Sequence, residues 1–248
     1  MTVRRSVWLG FDPREASAYA VARQSVMART DGAVGVHGLV LPYLRARGLY
    51  TRPTERRVLD DGRDVIWDVI SDAPCATEFS ISRFLTPILA EKGWALFMDC
   101  DMLVLGDLNS LFREAMEKHS DKAIVCVKHQ HNAVAGTKMD GQVQTVYGRK
   151  NWSSLTIYNV DHPANDALTV EMVNTLPGRD LHQFCWIKDD ALIGEIGPEW
   201  NYLIGETKAV HPSDVKIAHF TLGIPTMAGY ENCEFAEEWR RELYRWAS

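Results

Sequence analysis

Apolar residues in this chain fall mainly into short unbroken runs: "SVWLGF" (6–11), "AVGVHGLVL" (33–41), "WALFMDC" (94–100), "AIVCVKH" (123–129), "SSLTIYNV" (153–160) and "VKIAHF" (215–220). Runs of this length between polar flanks predict strands buried on both faces, as in a sheet covered by helices. Helical spacing separates several of them. Residues 12–30 read as a loop feeding a helix, residues 75–93 as a helix with Gly93 as its C-cap, and "DLNSLFREAMEKHSDK" as a helix capped near Asp107 or Asn109. A further helix is predicted at 163–175 and an amphipathic one in the tail at 233–247. Helix followed by strand, repeated, predicts an α/β fold with a mixed, mostly parallel sheet. The stretch 42–64 is basic, poorly periodic and punctuated by Gly and Pro, which predicts a long surface excursion, and 130–152 reads as a polar loop. With no repeat, linker or low-complexity segment, we expect one domain over 1–248.

Composition narrows the function classes. The chain of 248 residues is 46% hydrophobic, enough for a substantial core, and its formal charge of −6 supplies no global field for nucleic acid or anionic lipid. Five scattered cysteines without a CxxC pair disfavour both a disulfide framework and a zinc ribbon, which fits a reducing cytoplasm. The apolar N-terminal stretch stops at Asp12, too short for a signal or membrane-spanning segment, so the mature protein is expected to begin here. A homo-oligomer is compatible with the chain.

The chemistry concentrates in "EKGWALFMDCDMLVLGDL" (91–108), where an apolar strand ends in Asp99-Cys100-Asp101. Ligands of open α/β sheets sit beyond the carboxyl ends of strands, and alternation puts Asp99 and Asp101 on one side if extension continues. Two like charges so close repel, and a hard divalent cation such as Mn²⁺ or Mg²⁺ relieves the repulsion. The plain alternative is a pair of solvated turn aspartates capping the next helix. A phosphatase of the DxDx(T/V) type is a weaker one, since the fourth position is Leu103 and the motif lies mid-chain.

The segment "FSISRFLTPILAEKGWALFMDCDMLVLGDLNSLF" (79–112) resembles the DxD region of the glycogenin and lipopolysaccharide-galactosyltransferase family, retaining sugar-nucleotide-dependent transferases of the GT-A fold. "WLGFDPREASAYAVARQSV", "SSLTIYNV", "DDALIGEIGPEWNYL" and "KIAHFTLGIP" match further family stretches in the family's order. The resemblance implies a single Rossmann-like GT-A domain, with 1–128 mainly binding nucleotide and 129–248 mainly serving acceptor and catalysis. It implies Mn²⁺ held by Asp99, Asp101 and His219, with Asp99 also near the ribose, and a UDP-sugar as donor to a hydroxyl acceptor. Two carboxylates and an imidazole suit Mn²⁺, which neutralises a diphosphate leaving group. Arg83 would reach donor phosphate or sugar. Phe11 and Asp12, with Arg14, would form the nucleobase pocket; Asp189 and Asp190 would be the catalytic pair, Asp190 orienting the donor sugar and Asp189 the carboxylate nearest its anomeric centre, with nucleophilic and front-face attack both open, unless the two serve only as helix N-caps.

Two departures from the family stand out. Trp152 and Ser154 replace the usual Asn and Gly of the central strand's start, and "HFTLGIPTM" lacks the phosphate-binding lysine of the closing motif. Gly223 would still let backbone amides approach phosphate, with Lys138, Arg149 or Lys150 as substitute cations. Lys150, Trp152 and Ser154, with Tyr147, are candidates for acceptor contact, and His182 is expected to be a buried, satisfied histidine. The altered motifs also leave open a non-catalytic sugar-nucleotide or glycan-binding module, and a metal-dependent phosphohydrolase is the remaining rival.

Overall fold

The computed structural model describes residues 3–60, 62, 64–129 and 152–248. In chain order the elements are β1 (Arg5–Gly10), α1 (Ala16–Ala28), β2 (Val34–Leu39), α2 (Leu41–Ala46), β3 (Thr54–Val58), β4 (Asp64–Asp68) and β5 (Ala73–Cys75). There follow α3 (Thr86–Ala90), β6 (Trp94–Met98), β7 (Met102–Val104), α4 (Leu108–Lys118), β8 (Ile124–Cys126) and β9 (Leu155–Asn159). The last are α5 (Val170–Thr175), α6 (Gly178–His182), β10 (Ile193–Glu195), β11 (Tyr202–Leu203), β12 (Ile217–His219) and α7 (Ala236–Ala247).

A six-stranded mixed sheet in the order β10-β8-β9-β6-β1-β2 organises the molecule, with β9 antiparallel to both its neighbours and the other pairings parallel. All five residues of β6 are buried because the strand is central and covered on both faces. Its side chains alternate accordingly. Ala95 and Phe97 pack with residues of α3, α5 and α6, while Trp94, Leu96 and Met98 pack with those of α1 and α4. Gly93 precedes the strand at φ +81°, where a Cβ would stand 2.2 Å from the Arg4 carbonyl oxygen, so only glycine admits the close approach of β6 to β1.

Two small sheets flank this core. β11-β12-β7 carries the chain from the end of β6 to a third apolar cluster, which joins α1 to α7 through Ala18, Val21 and Trp239. The antiparallel β3-β4-β5 sheet begins inside the stretch expected to be a surface excursion, which also holds α2. Its strand character is masked in the sequence: β3 (Thr-Glu-Arg-Arg-Val) is an exposed edge without an apolar alternation, held by backbone pairing to β4. Arg52 anchors it. This fully buried guanidinium makes paired contacts of 2.6 Å to both oxygens of Asp68, donates to the Val173 and Leu176 carbonyls at the end of α5, and reaches Ser71 Oγ.

Other boundaries move for local reasons. The helix expected at 75–93 is a 3-10 turn, Ser82–Leu85, continued by the short α3, and the chain leaves it at Glu91 (φ +66°) rather than at Gly93. The helix expected at 163–175 is two pieces because it has two caps: His162 accepts from Ala164 N–H and Thr169 from Met172 N–H. The tail helix α7 is amphipathic as expected, with Trp239 buried and Tyr244 exposed. Among the described residues no helix is long and apolar enough to cross a membrane.

Candidate active site

Beyond Met98 the chain leaves the main sheet through Asp99, Cys100 and Asp101 and enters β7, which pairs antiparallel with β12. That pairing sets His219, the last residue of β12, beside the aspartates. One ligand atom from each of Asp99, Asp101 and His219 lies within 4.8 Å of the others. Backbone bonds fix the frame: Asp99 N–H donates to Ser154 O (3.0 Å) and Phe220 N–H to Asp101 O (2.9 Å).

Arg83 Nη1 is 2.9 Å from Asp99 Oδ1, and His219 Nε2 is 3.3 Å from Asp101 Oδ1. Neither contact is an aligned hydrogen bond, so both Oδ1 atoms are buried acceptors without a donor. Orphaned carboxylate oxygens beside an imidazole are a donor set that a divalent cation satisfies, so the residues fit a metal. Electrostatics agree. Burial, only partly opposed by Arg83, pushes the Asp99 carboxyl up to about 7. Burial also acts to raise Asp101 and to lower His219, but each is outweighed by the other, leaving Asp101 below and His219 above its ordinary value.

His219 is oriented from behind. Asn201 is fully buried; its Nδ2 donates to Ser154 Oγ (3.0 Å) and its Oδ1 lies 2.9 Å from His219 Nδ1. With Oδ1 as acceptor, Nδ1 carries the proton and Nε2 presents its lone pair to the aspartates, the tautomer a metal ligand requires. Asn201 falls within the family-like stretch "DDALIGEIGPEWNYL", but nothing in the sequence gives it a role. Ser154, expected near the acceptor, is nearly buried and gives its carbonyl and hydroxyl to this scaffold.

Arg83 is buried at the site. It donates to Ser153 O (3.0 Å) and Ser80 O (3.1 Å) and sits over the Phe97 ring, 4.9 Å from its centroid. Ser153 Oγ lies 2.7 Å from Nδ1 of His182, whose burial depresses it to about 3, so the ring is neutral. His182 is thus the satisfied histidine expected, although it also lines the cavity described next.

The cluster opens into a cavity of about 700 Å³, of the size that holds a small-molecule ligand. Arg83, Asp99, Asp101, His219 and Glu15 line it, together with residues from the 71–77 and 178–183 segments. Arg52, Asp68 and Ser71 join these two wall segments, since Ser71 Oγ also accepts from Gly178 N–H. Glu15 was not singled out in the sequence, although it adjoins the Asp-Pro-Arg stretch that was.

The remaining expected site residues lie elsewhere. Phe11 packs edge-on against Tyr19, and Asp12 is fully buried, bonded to Arg14 and capping the turn that precedes α1. Arg14 lines a separate cavity of about 390 Å³. Asp189 and Asp190 are exposed and outside the main cavity's lining; Asp189 accepts from Ala191 N–H, the N-cap arrangement weighed as the alternative. The Gly223 N–H donates to Phe220 O and a Cβ there would meet the Tyr230 ring at 2.5 Å, so it is a packing glycine in this structure. Trp152 donates to His129 O and lies under Lys128. Lys138, Tyr147, Arg149 and Lys150 lie outside the described residues.

No family model matches the chain. "Protein CDI" of Arabidopsis thaliana is 41% identical over 241 residues, covering 96% of this chain and 85% of the relative. Among solved structures the chain is similar to the bifunctional glycosyltransferase WbbM (TM-score 0.61, 12% identity, 98% of this chain and 50% of that one). It is also similar to the glycosyltransferase GlyE of Streptococcus pneumoniae TIGR4 (TM-score 0.60, 13% identity, 99% of this chain and 62% of that one). A third likeness is to the galactosyltransferase LgtC in complex with donor and acceptor sugar analogues (TM-score 0.54, 12% identity, 97% and 95%). The chain therefore spans half of WbbM and under two thirds of GlyE, but nearly all of LgtC. At these identities the likeness establishes the fold, which is GT-A.

Proposed function

Since the chain belongs to the family of the Arabidopsis thaliana protein CDI, whose name states no chemistry, and has a GT-A fold, we propose that it is a metal-assisted glycosyltransferase. It takes a nucleotide-sugar donor, a UDP-sugar by the motif resemblance, and transfers the sugar to a hydroxyl with retention. The observation that carries this reading is the convergence of Asp99, Asp101 and His219, with two orphaned carboxylate oxygens, at the cavity.

In this reading Asp99, Asp101 and His219 hold Mn²⁺, or Mg²⁺ in its place. When bound, the cation neutralises the charge that gathers on the departing nucleoside diphosphate. Asn201 keeps the lone pair of His219 Nε2 toward the site, and Arg83 lowers the cost of charging Asp99. Nucleotide contacts come mainly from residues before 129 and acceptor contacts from the later half, with His219 reaching across. Among the described residues, the carboxylates lining the cavity are Glu15, Asp99 and Asp101. Front-face attack, shielded by the leaving diphosphate, therefore suits this geometry better than attack by Asp189 or Asp190.

A thermal-shift screen of nucleoside diphosphates and their sugars, with and without Mn²⁺, tests the reading, because a ligand bound only by the native state raises the melting midpoint. The expected result is a UDP or UDP-sugar shift that requires Mn²⁺, with slow UDP release in water and faster release with an acceptor. Release of inorganic phosphate from simple phosphoesters would instead support a phosphohydrolase. Tight binding of sugar nucleotide without turnover across an acceptor panel would support a binding module.

A further inference from the structure

The turn between β1 and α1 carries two carboxylates, and their surroundings differ. Asp12 has no exposed surface, and its oxygens already accept from Arg14 N (2.9 Å), Arg14 Nε (3.0 Å), Arg14 Nη2 (2.6 Å) and Glu78 N (3.0 Å). Four donors exhaust the useful capacity of a carboxylate, so Asp12 has none left for a ligand. Glu15, three residues on, lines the same cavity as Asp99, Asp101 and His219. Among the described residues its carboxylate forms no ion pair, and the donor that reaches it is the Cys100 thiol, 3.0 Å from Oε2.

A thiol is a weak donor, so it can aim the carboxylate without satisfying it. Cys100 lies between the two metal-site aspartates and is fully buried, which fixes Glu15 relative to the cluster. Glu15 feels the negative charge of Asp101, so the anionic part of a ligand is disfavoured beside it and hydroxyl groups are favoured. Two adjacent hydroxyls match the two oxygens of one carboxylate. In a nucleoside diphosphate that pair is the ribose 2′,3′-diol, a few bonds from the diphosphate.

We propose that Glu15 recognises the ribose diol of the nucleotide, in addition to Asp99, which the family resemblance places near the ribose, and that Asp12, its acceptors used up, takes no part. This rests on the glycosyltransferase reading above. The same diol chemistry is present in the transferred sugar, and the arms of the experiment separate the two.

Wild type, E15Q and E15A are titrated calorimetrically with UDP, CDP, ADP and GDP in Mn²⁺. The tightest of the four is then compared with its 2′-deoxy counterpart and with its glucose and galactose conjugates. Hydrogen bonds to a charged group make the expected wild-type preference for the ribo form about tenfold or more. E15A should lose most of that preference, E15Q should lose part of it, and Mn²⁺ binding measured alone by electron paramagnetic resonance should be unchanged in both, which also reports that the site has folded. An E15A protein that keeps the wild-type ribo-to-deoxy ratio overturns the proposal, as does one weakened only toward the sugar conjugates. Wild type that binds no nucleoside diphosphate overturns the glycosyltransferase reading and this proposal together, whereas the two preceding outcomes leave that reading intact.

Discussion

Two acidic pairs in this chain present the same face in sequence and opposite faces in structure. Asp99-Cys100-Asp101 follows the buried central strand β6, and antiparallel pairing of β7 with β12 brings His219 onto it. Asp189-Asp190 stands at a short exposed turn before the edge strand β10, where Asp189 is occupied as a cap. The difference shows that a carboxylate pair becomes a candidate site when a rigid element delivers it into a place where little water reaches it. Desolvation creates the demand for a cation; the same residues in solvent make no such demand.

The comparison can be broken at its strong end first. Asp101→Ala or His219→Ala should remove Mn²⁺-dependent nucleotide binding, by more than the roughly 100-fold seen when an outer-shell partner is lost. Calorimetric titration of UDP with and without Mn²⁺ checks this, and unchanged binding in both variants would remove the metal-site reading. Asn201→Ala should weaken Mn²⁺ affinity by about 10–100-fold, since His219 loses the partner that fixes its tautomer. It should also cost about 1–3 kcal/mol of stability from unsatisfied buried groups, read from denaturant unfolding. Intact metal affinity there would show that His219 needs no such orientation.

At the weak end, Asp189→Ala should cost about 1 kcal/mol or less, the value of an N-cap, and leave Mn²⁺-dependent binding of UDP unchanged. Asp190→Ala, at an exposed position, should stay within about 0.5 kcal/mol of wild type. Measured transfer sharpens the contrast: if either variant binds donor normally yet loses turnover by orders of magnitude, the exposed pair joins the chemistry and the comparison fails.

The parts legible in the sequence are those set by local patterning. β1, β6 and β9 announce themselves as apolar runs because central strands are buried on both faces, and α4 and α7 because one face of each packs on the core. The edge strand β3 was not legible, since an exposed strand held by backbone bonds needs no apolar pattern, and Arg52 reads as another charge until Asp68 and two carbonyls enclose it. In the candidate site the Asp99/Asp101 pair was legible from its position at a strand end. Glu15 and Asn201 were not, because each acquires its surroundings from segments distant in the chain.

The sequence by itself thus determined the α/β layering, the main strands and the aspartate pair of the candidate metal site, since these follow from hydrophobic period and residue type. Only the tertiary structure decided which polar groups are used up and which are left without a partner. It made Asp12 a satisfied structural carboxylate and left Glu15 facing the cavity, and it buried most of Asp99 while exposing Asp189. The physical reason is that desolvation and hydrogen-bond satisfaction depend on which segments converge, and convergence is a property of the packed fold.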